Sequence, residues 1–481
     1  MNPSKLSEHK LKKGKLITPL NHHLPNMTLS SWVNDRMPHY LWLGLILDHF
    51  QREDGLNKLE EFLYKISPLA PDIETPSLLH ILNSEENIQN SIYKEFIGFF
   101  DKNYLYPLTA VFGNNEFPHF NKYFYNHRAS VMDRTDLLEK AIRKYYPHQS
   151  NEATDLRYLT IAFVKQRKKI FFTENCKTSI AAFENYSVTP HSSDDMRSYR
   201  PSIRSMEGVG LLRLDPELAR AFWDDISQLT ECRLYMMKRN PEINNMKNEL
   251  ESIENYLSHA LSLSPKEIVN SAKFEVLCGV LSYSVNTFRE IIDGDLDNKI
   301  LGRIGIRVIA ESYAISKYLI SNQTNHPNIW QDYKMDGIGK FKLILLKLRE
   351  STDPRPKHMD AEILEMFSNE ETWEEYINTD LGYFDNQSIR DKFIQANEKS
   401  LFDTSYDYDS SFAHGLWGAI RESSMVSCDN SAHRYHRVPE FKYTQSLKSV
   451  LPECYYILTK HINLVAAELN LPELEIPENA E

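Results

Sequence analysis

The chain has 481 residues, of which only 16 are Gly and 22 are Pro, so it is poor in the residue that tight turns and phosphate-cradling loops require. That argues against a glycine-rich nucleotide fold, and the length, at about 150 residues per domain, calls for two or three domains. Lys and Arg total 55 against 67 Asp and Glu, a formal charge of −12, which excludes a general affinity for polyanions and confines any nucleic-acid role to a local basic site.

The N-terminal MNPSKLSEHKLKKGKL is basic but no apolar run follows it, so no secretory signal is expected. No apolar run approaches the roughly 18 residues that a membrane helix needs, and a membrane is not an expected partner. Ser30 and Ser31 are candidate N-caps for a short segment. Residues 41–66 (LWLGLILDHFQREDGLNKLEEFLYKI) repeat apolar side chains at three- and four-residue spacing, the pattern of an amphipathic helix or helix pair. Further helices are expected over 88–100, 136–145, 216–237, 247–261 and 265–292, and strand-like alternation is nowhere sustained. The expected fold is therefore all-α.

Residues 185–205 (NYSVTPHSSDDMRSYRPSIRS) are rich in Ser, Asp, Pro and Arg with little apolar period, and read as a loop or linker. A second break is expected at 352–357 (TDPRPK), and the acidic tail 473–481 is expected to fray. The expected organisation is an N-terminal helical domain over 1–205, a helical connector over 206–264 and a C-terminal helical bundle over 265–481. The five cysteines are scattered, odd in number and without a CxxC pair, which fits a reducing cytoplasm better than a disulfide framework.

The segment 298–319 (NKILGRIGIRVIAESYAISKYL) is apolar around most of a helix, yet Arg303, Arg307 and Glu311 recur at spacings of four along one stripe. Buried charges have to be paired. The plainer reading is an i,i+4 ion pair; the functional one is an inward-facing polar site of the kind helical bundles build from facing helices. A second polar segment is 406–424 (YDYDSSFAHGLWGAIRESS), with N-cap candidates Asp409, Ser410 and Ser411 and a helix expected from near Phe412. His414 and Arg421 are then two turns apart on one face. A histidine near neutral pKa suits proton transfer at a ribose hydroxyl, and arginine suits the charge that grows on phosphorus.

On Arg307–Glu311 and on Tyr408, Ser411, His414 and Gly415, the stretch 265–464 resembles a bacterial domain-of-unknown-function family (5677), with an R-x-x-x-E helix followed about a hundred residues later by a Tyr/Ser-x-x-His-Gly helix start. That family is similar in outline to the HEPN group of helical bundles, many of them dimeric ribonucleases of toxin, CRISPR-associated and antiphage systems. The chain departs from the HEPN signature: His414 precedes Arg421, and no histidine follows that arginine at the expected distance. The resemblance implies an RNA-acting HEPN-like effector, a metal-independent ribonuclease of bacterial antiphage or stress defence. His414 would be its acid/base, Arg307 and Arg421 would lie on phosphate and Glu311 would orient an arginine. The alternative is a non-catalytic helical scaffold or sensor for a protein partner or small ligand. RNA is a candidate partner, and a homo-oligomer or a partner protein is expected.

Arg303, Tyr333, Lys334, Tyr408, Arg434 and Arg437 are the candidate substrate-binding residues, Lys334 for phosphate and Tyr333 for stacking on a base. The loop CDNSAHRYH offers Cys428, His433 and His436 as metal ligands, one short of the four of a structural zinc site, so no metal is expected. Its HRYHR portion is basic and aromatic, and so reads either as a phosphate contact or as an ordinary exposed turn. The basic KQRKKI (165–170) reads as a solubilising face. GIGK at 337–340 lacks the spacing and the Ser/Thr of a P-loop, and GVG at 208–210 lacks a third glycine. No nucleotide or other cofactor is expected.

Overall fold

The computed structural model describes residues 5–23, 30–170, 176–208, 214–237, 246–263, 271–352, 354, 356–370, 373–378, 384–442 and 445–474. Residues 265–270 of one expected helix, most of the acidic tail, two positions of TDPRPK and part of GVG lie outside them. The chain is all-α apart from short strands, and it divides into two units: residues 1–235 with 427–436, and residues 236–426 with 437–481.

In the first unit, the expected helix over 41–66 is two helices, Met37–Leu47 (α1) and Arg52–Ile66 (α2). Every residue of α1 is buried, His39 included, so it is the central helix of this unit rather than an amphipathic one. Gly44 is needed there because a Cβ would fall 2.5 Å from the Tyr145 ring. The Tyr145 hydroxyl shares its one proton between the Gly44 carbonyl at 3.1 Å and the Asp48 carboxylate at 3.0 Å, which fixes the helix end. Around α1 pack Val131–Tyr145 (α4), Asn151–Gln166 (α5) and Pro216–Gln228 (α7), while Glu86–Phe99 (α3) packs on α2, with Phe62, Phe96, Phe100, Phe120 and Phe124 meeting largely edge to face or tilted.

The stretch read as a loop, 185–205, ends in a helix, Met196–Gly208 (α6). Its polar composition hides a tertiary role. Glu207 is buried and paired with Arg36 and with Arg157, whose Nε is 3.2 Å away and whose guanidinium lies 4.0 Å from the Trp32 ring centre. Arg204 reaches the Thr154 hydroxyl on α5 at 2.9 Å. Met196, Tyr199, Ile203 and Met206, spaced three and four apart, seat this helix in the core of the unit, and the long-range arginine contacts add to that hold.

The second unit is a bundle of Ala272–Asp293 (α8), Ile300–Asn322 (α9), Ile329–Glu350 (α10) and Leu451–Glu468 (α13), with the short helices Asp407–Ala413 (α11) and Trp417–Ser423 (α12) on it. α9 is the spine: Ile306, Ile309, Tyr313 and Leu319 pack with Leu277, Leu281 and Phe288 of α8 and Ile457, Leu458 and Ile462 of α13. Inside this core, His461 meets the Ser316 hydroxyl at 2.9 Å and the Ser284 hydroxyl at 3.4 Å.

Two buried histidines set a pH dependence. Burial holds His461 down to about 3, and burial, with His80 adding to it, holds His39 down to about 4. Both stay neutral in the fold but take up a proton at about 6.5 when unfolded. Their stabilisation is therefore full above about pH 6.5 and is lost as pH falls toward the folded values, by about 2 kcal/mol per histidine at pH 5. Urea midpoints measured at pH 7 and pH 5 should show this loss, and His461→Gln should be less stable at pH 7 with a shallower pH slope. An unchanged slope in that variant would refute the assignment.

Candidate functional site

The charged stripe of α9 lies as the sequence spacing requires. Arg303 is buried at 8% exposure, while Arg307 and Glu311 are partly exposed. What answers them comes from α11 and the turn of π-helix before it, Phe402–Tyr406. Arg307 donates through Nε to the Ser410 hydroxyl at 3.0 Å and through Nη2 to the Tyr406 hydroxyl at 2.6 Å. The Tyr406 hydroxyl in turn donates to Glu311 Oε2 at 2.9 Å, and the Arg307–Glu311 ion pair closes the ring at 3.3 Å. Burial first, then the Glu311 carboxylate, pushes the Tyr406 phenol far up, so it stays protonated and keeps donating.

Arg307 and Glu311 of this ring line a groove of about 450 Å³ between α8, α9 and α10, with Tyr283 and Tyr333 also in its lining. Tyr283 is exposed and Tyr333 is partly buried. Burial and the nearby Glu311 carboxylate raise the Tyr333 phenol. Tyr333 is thus brought to Arg307 and Glu311, as expected. Lys334 is not a free phosphate ligand, because its ammonium pairs with Glu275 at 2.7 Å.

Arg303 turns to a different set. It donates to the Lys448 carbonyl at 2.9 Å, lies 3.7 Å from Asp409 and stacks against Tyr408 and Phe412 at 5.4 and 5.9 Å. The Tyr408 hydroxyl donates to Glu422 at 2.8 Å. Asp409, at 2% exposure, receives one hydrogen bond among the described residues, from Ser405 at 3.0 Å. The long contact to Arg303 does not offset its burial, which pushes the carboxyl up to about 6.

The helix expected to run from Phe412 through Arg421 is interrupted. α11 ends at Ala413, His414 is its C-cap, Gly415 has φ +59°, and α12 starts at Trp417. The left-handed turn that Gly415 permits ends α11, so His414 and Arg421 belong to two helices rather than lying two turns apart on one. Both side chains are exposed. The His414 amide donates to the carbonyl of Ser410 at 3.1 Å, which places His414 one turn beyond the serine that holds Arg307. Arg437 is partly buried in the second unit. Arg434 belongs to the first, with its guanidinium on Asn34 at 3.1 Å and 5.7 Å from the Trp223 ring centre.

The sequence reading passed over Tyr406, Ser410 and Asp409 as site residues. A signal was present: 406 and 410 are spaced by four, as are 307 and 311, which is what two facing helical stripes require. The metal count also changes. Three ligands were counted in the loop 428–436, but in the first unit the Cys232 thiol joins them, and the donor atoms of Cys232, Cys428, His433 and His436 all lie within 4.8 Å of one another. Cys232 and His433 are 201 residues apart in sequence, so local spacing could not pair them.

Residues 274–433 match the model of a family of unknown function (DUF5677), which bears out the resemblance drawn from Arg307, Glu311 and the stretch around His414. The matched span contains the whole Arg307 ring. No curated protein and no solved structure matches the chain. Among the described residues no helix is long and apolar enough to cross a membrane.

Asp409 gives a test of the site's electrostatics. Its folded pKa of about 6 lies above the unfolded value of about 3.9, so the ionised carboxylate opposes folding above about pH 6 and the penalty vanishes below about pH 4. Asp409→Asn should be more stable than the parent at pH 7, by up to about 3 kcal/mol, and equal to it near pH 4. Thermal unfolding of both proteins across that range checks this; a variant less stable at pH 7 would mean that the Arg303 pairing dominates.

Proposed function

We propose that the second unit is an RNA-acting module, a HEPN-like effector of bacterial antiphage or stress defence, and that the groove over Arg307 is where it holds RNA. The observation that carries this reading is a partly exposed guanidinium, fixed by Ser410, Tyr406 and Glu311, in the lining of a groove that Tyr283 and Tyr333 also line. A rigid cation with aromatic faces beside it suits a phosphate and an unstacked base together. Arg307 retains Nη1, which among the described residues has no hydrogen-bond partner, to offer to a phosphate oxygen. In this reading His414, exposed one turn from Ser410 and outside the lining of the groove, would shuttle the proton, and Arg421 on α12 would be a further exposed cation for the backbone. The chemistry needs no metal: the histidine moves a proton between the ribose 2′-hydroxyl and the leaving oxygen while arginine balances charge on phosphorus.

A second reading, a non-catalytic scaffold or sensor, is favoured by one observation. Arg307 is already neutralised by Glu311, and Lys334 by Glu275, so the groove has little net positive charge with which to draw a polyanion. Fluorescently labelled single-stranded RNA separates the two. In EDTA the full-length protein should retain and cut it; His414→Ala should keep binding and lower the cleavage rate by about 10²–10⁴, and Arg307→Ala should weaken binding about tenfold or more. Absence of RNA binding at low salt removes the RNA reading and leaves the scaffold; cleavage undiminished in His414→Ala removes His414 from the chemistry.

A further inference from the structure

We infer that the first unit holds a structural zinc ion on Cys232, Cys428, His433 and His436. Cys232 follows α7 and leads into the strand Leu234–Tyr235. That strand pairs antiparallel with Met425–Cys428, Leu234 opposite Cys428. Beyond Cys428 the chain folds back sharply. Arg434 and Tyr435 both have positive φ, of 54° and 50°, and the Cys428 amide donates to the His436 carbonyl at 2.9 Å. Two successive non-glycine residues in the left-handed region is a conformation that L side chains rarely hold, and here it turns both histidines toward the two thiols.

Three of the donor–donor distances bracket those of a tetrahedral site. Zinc bonds of about 2.3 Å to sulfur and about 2.0–2.1 Å to nitrogen put neighbouring S and N ligands about 3.5 Å apart. Cys232 Sγ lies 3.2 Å from His433 Nδ1 and 3.2 Å from His436 Nε2, and Cys428 Sγ lies 3.8 Å from His433 Nδ1.

The surroundings choose the tautomer. His433 Nε2 faces the carbonyls of Ser227 and Thr230 at 3.0 and 3.1 Å. A ring nitrogen that meets two carbonyls carries the proton, so Nδ1 presents its lone pair to the sulfurs; outer carbonyls orient the histidines of metal sites in the same way. The buried Asn430 amide braces the Cys232 side of the site, donating to the Thr230 hydroxyl at 3.0 Å and to the Glu231 carbonyl at 2.9 Å. Two thiolates balance the dipositive ion, and binding releases the two thiol protons to solvent. Four protein ligands leave no open position, so the ion's role is structural. It clips the loop 428–436 to the segment after α7, a closure between residues more than 200 apart in sequence. A disulfide between the two cysteines would explain neither histidine.

The test uses the full-length protein purified in reducing buffer without added metal. Elemental analysis should find one zinc per chain, retained by Cys176→Ser and lost by Cys232→Ser. Should Cys232→Ser fail to fold, the parent protein still answers. Exchange with Co²⁺ should produce the visible bands of a tetrahedral site together with thiolate-to-metal charge transfer, and stripping by a strong chelator should lower the melting temperature by several degrees. Zinc well below one per chain that added zinc cannot raise, zinc unaffected by Cys232→Ser, Co²⁺ bands without thiolate character, or a Cys232–Cys428 disulfide found by mass spectrometry would each overturn the assignment.

Discussion

An arginine and a carboxylate on an otherwise apolar helix have to be answered from outside that helix, and this demand shapes the second unit. α9 supplies Arg303, Arg307 and Glu311 to positions where water reaches them only in part. Leaving a buried charge unpaired costs several kcal/mol, so the chain that passes over α9 at residues 405–410 must present hydroxyls and a carboxylate in register. It does so with two interleaved pairs spaced by four. Tyr406 and Ser410 serve Arg307, while Ser405 and Asp409 serve each other and Arg303. The π-helical turn Phe402–Tyr406 is the local irregularity that lets both pairs face inward, in keeping with where such turns are found in proteins.

This pairing also settles what the groove can offer. A guanidinium held by three neighbours is rigid, which favours a planar anionic group of fixed geometry over a diffuse polyanion contact. The paired Glu311 removes the long-range attraction that a bare arginine would exert. The proposed recognition there would rest on close fit against Tyr283 and Tyr333 rather than on steering, and the chain's net charge of −12 argues against indiscriminate attraction of a polyanion.

How much of this was legible in the sequence follows from the range of the interactions. α9 could be read because an apolar helix interrupted at spacings of four carries its own period, and the three charged residues fell where that period put them. The break at Gly415 could not: a glycine inside a helical pattern is common, and only its φ of +59° distinguishes a cap from an ordinary position. α6 was hidden for the opposite reason. Its four apolar core residues, Met196, Tyr199, Ile203 and Met206, stand among arginines and serines that dilute their signal, while Arg204 on Thr154 and Glu207 on Arg157 and Arg36 tie it to α5 and to the rest of the first unit. Cys232 was invisible because its partners lie some 200 residues further on, and ligand counting works only on donors that share a loop.

The two polar clusters differ in a way that bears on what each is for. Around Arg307 donors meet acceptors: guanidinium N–H groups on hydroxyls and a carboxylate, and a phenol on that same carboxylate. Such a ring satisfies itself and holds its shape with or without a ligand. Around Cys232 the balance fails. Two sulfurs and the His433 nitrogen, whose proton is committed to the carbonyls on its far side, converge with a second histidine nitrogen on one point. Two weak S–H donors are poor partners for that many lone pairs, although the left-handed turn that brings them there is itself closed by backbone hydrogen bonds, from Tyr435 to Asn430 at 3.2 Å and from Cys428 to His436 at 2.9 Å. A dipositive ion would supply what the protons do not, and that is the physical difference between a cluster that satisfies itself and one that offers its lone pairs to a ligand.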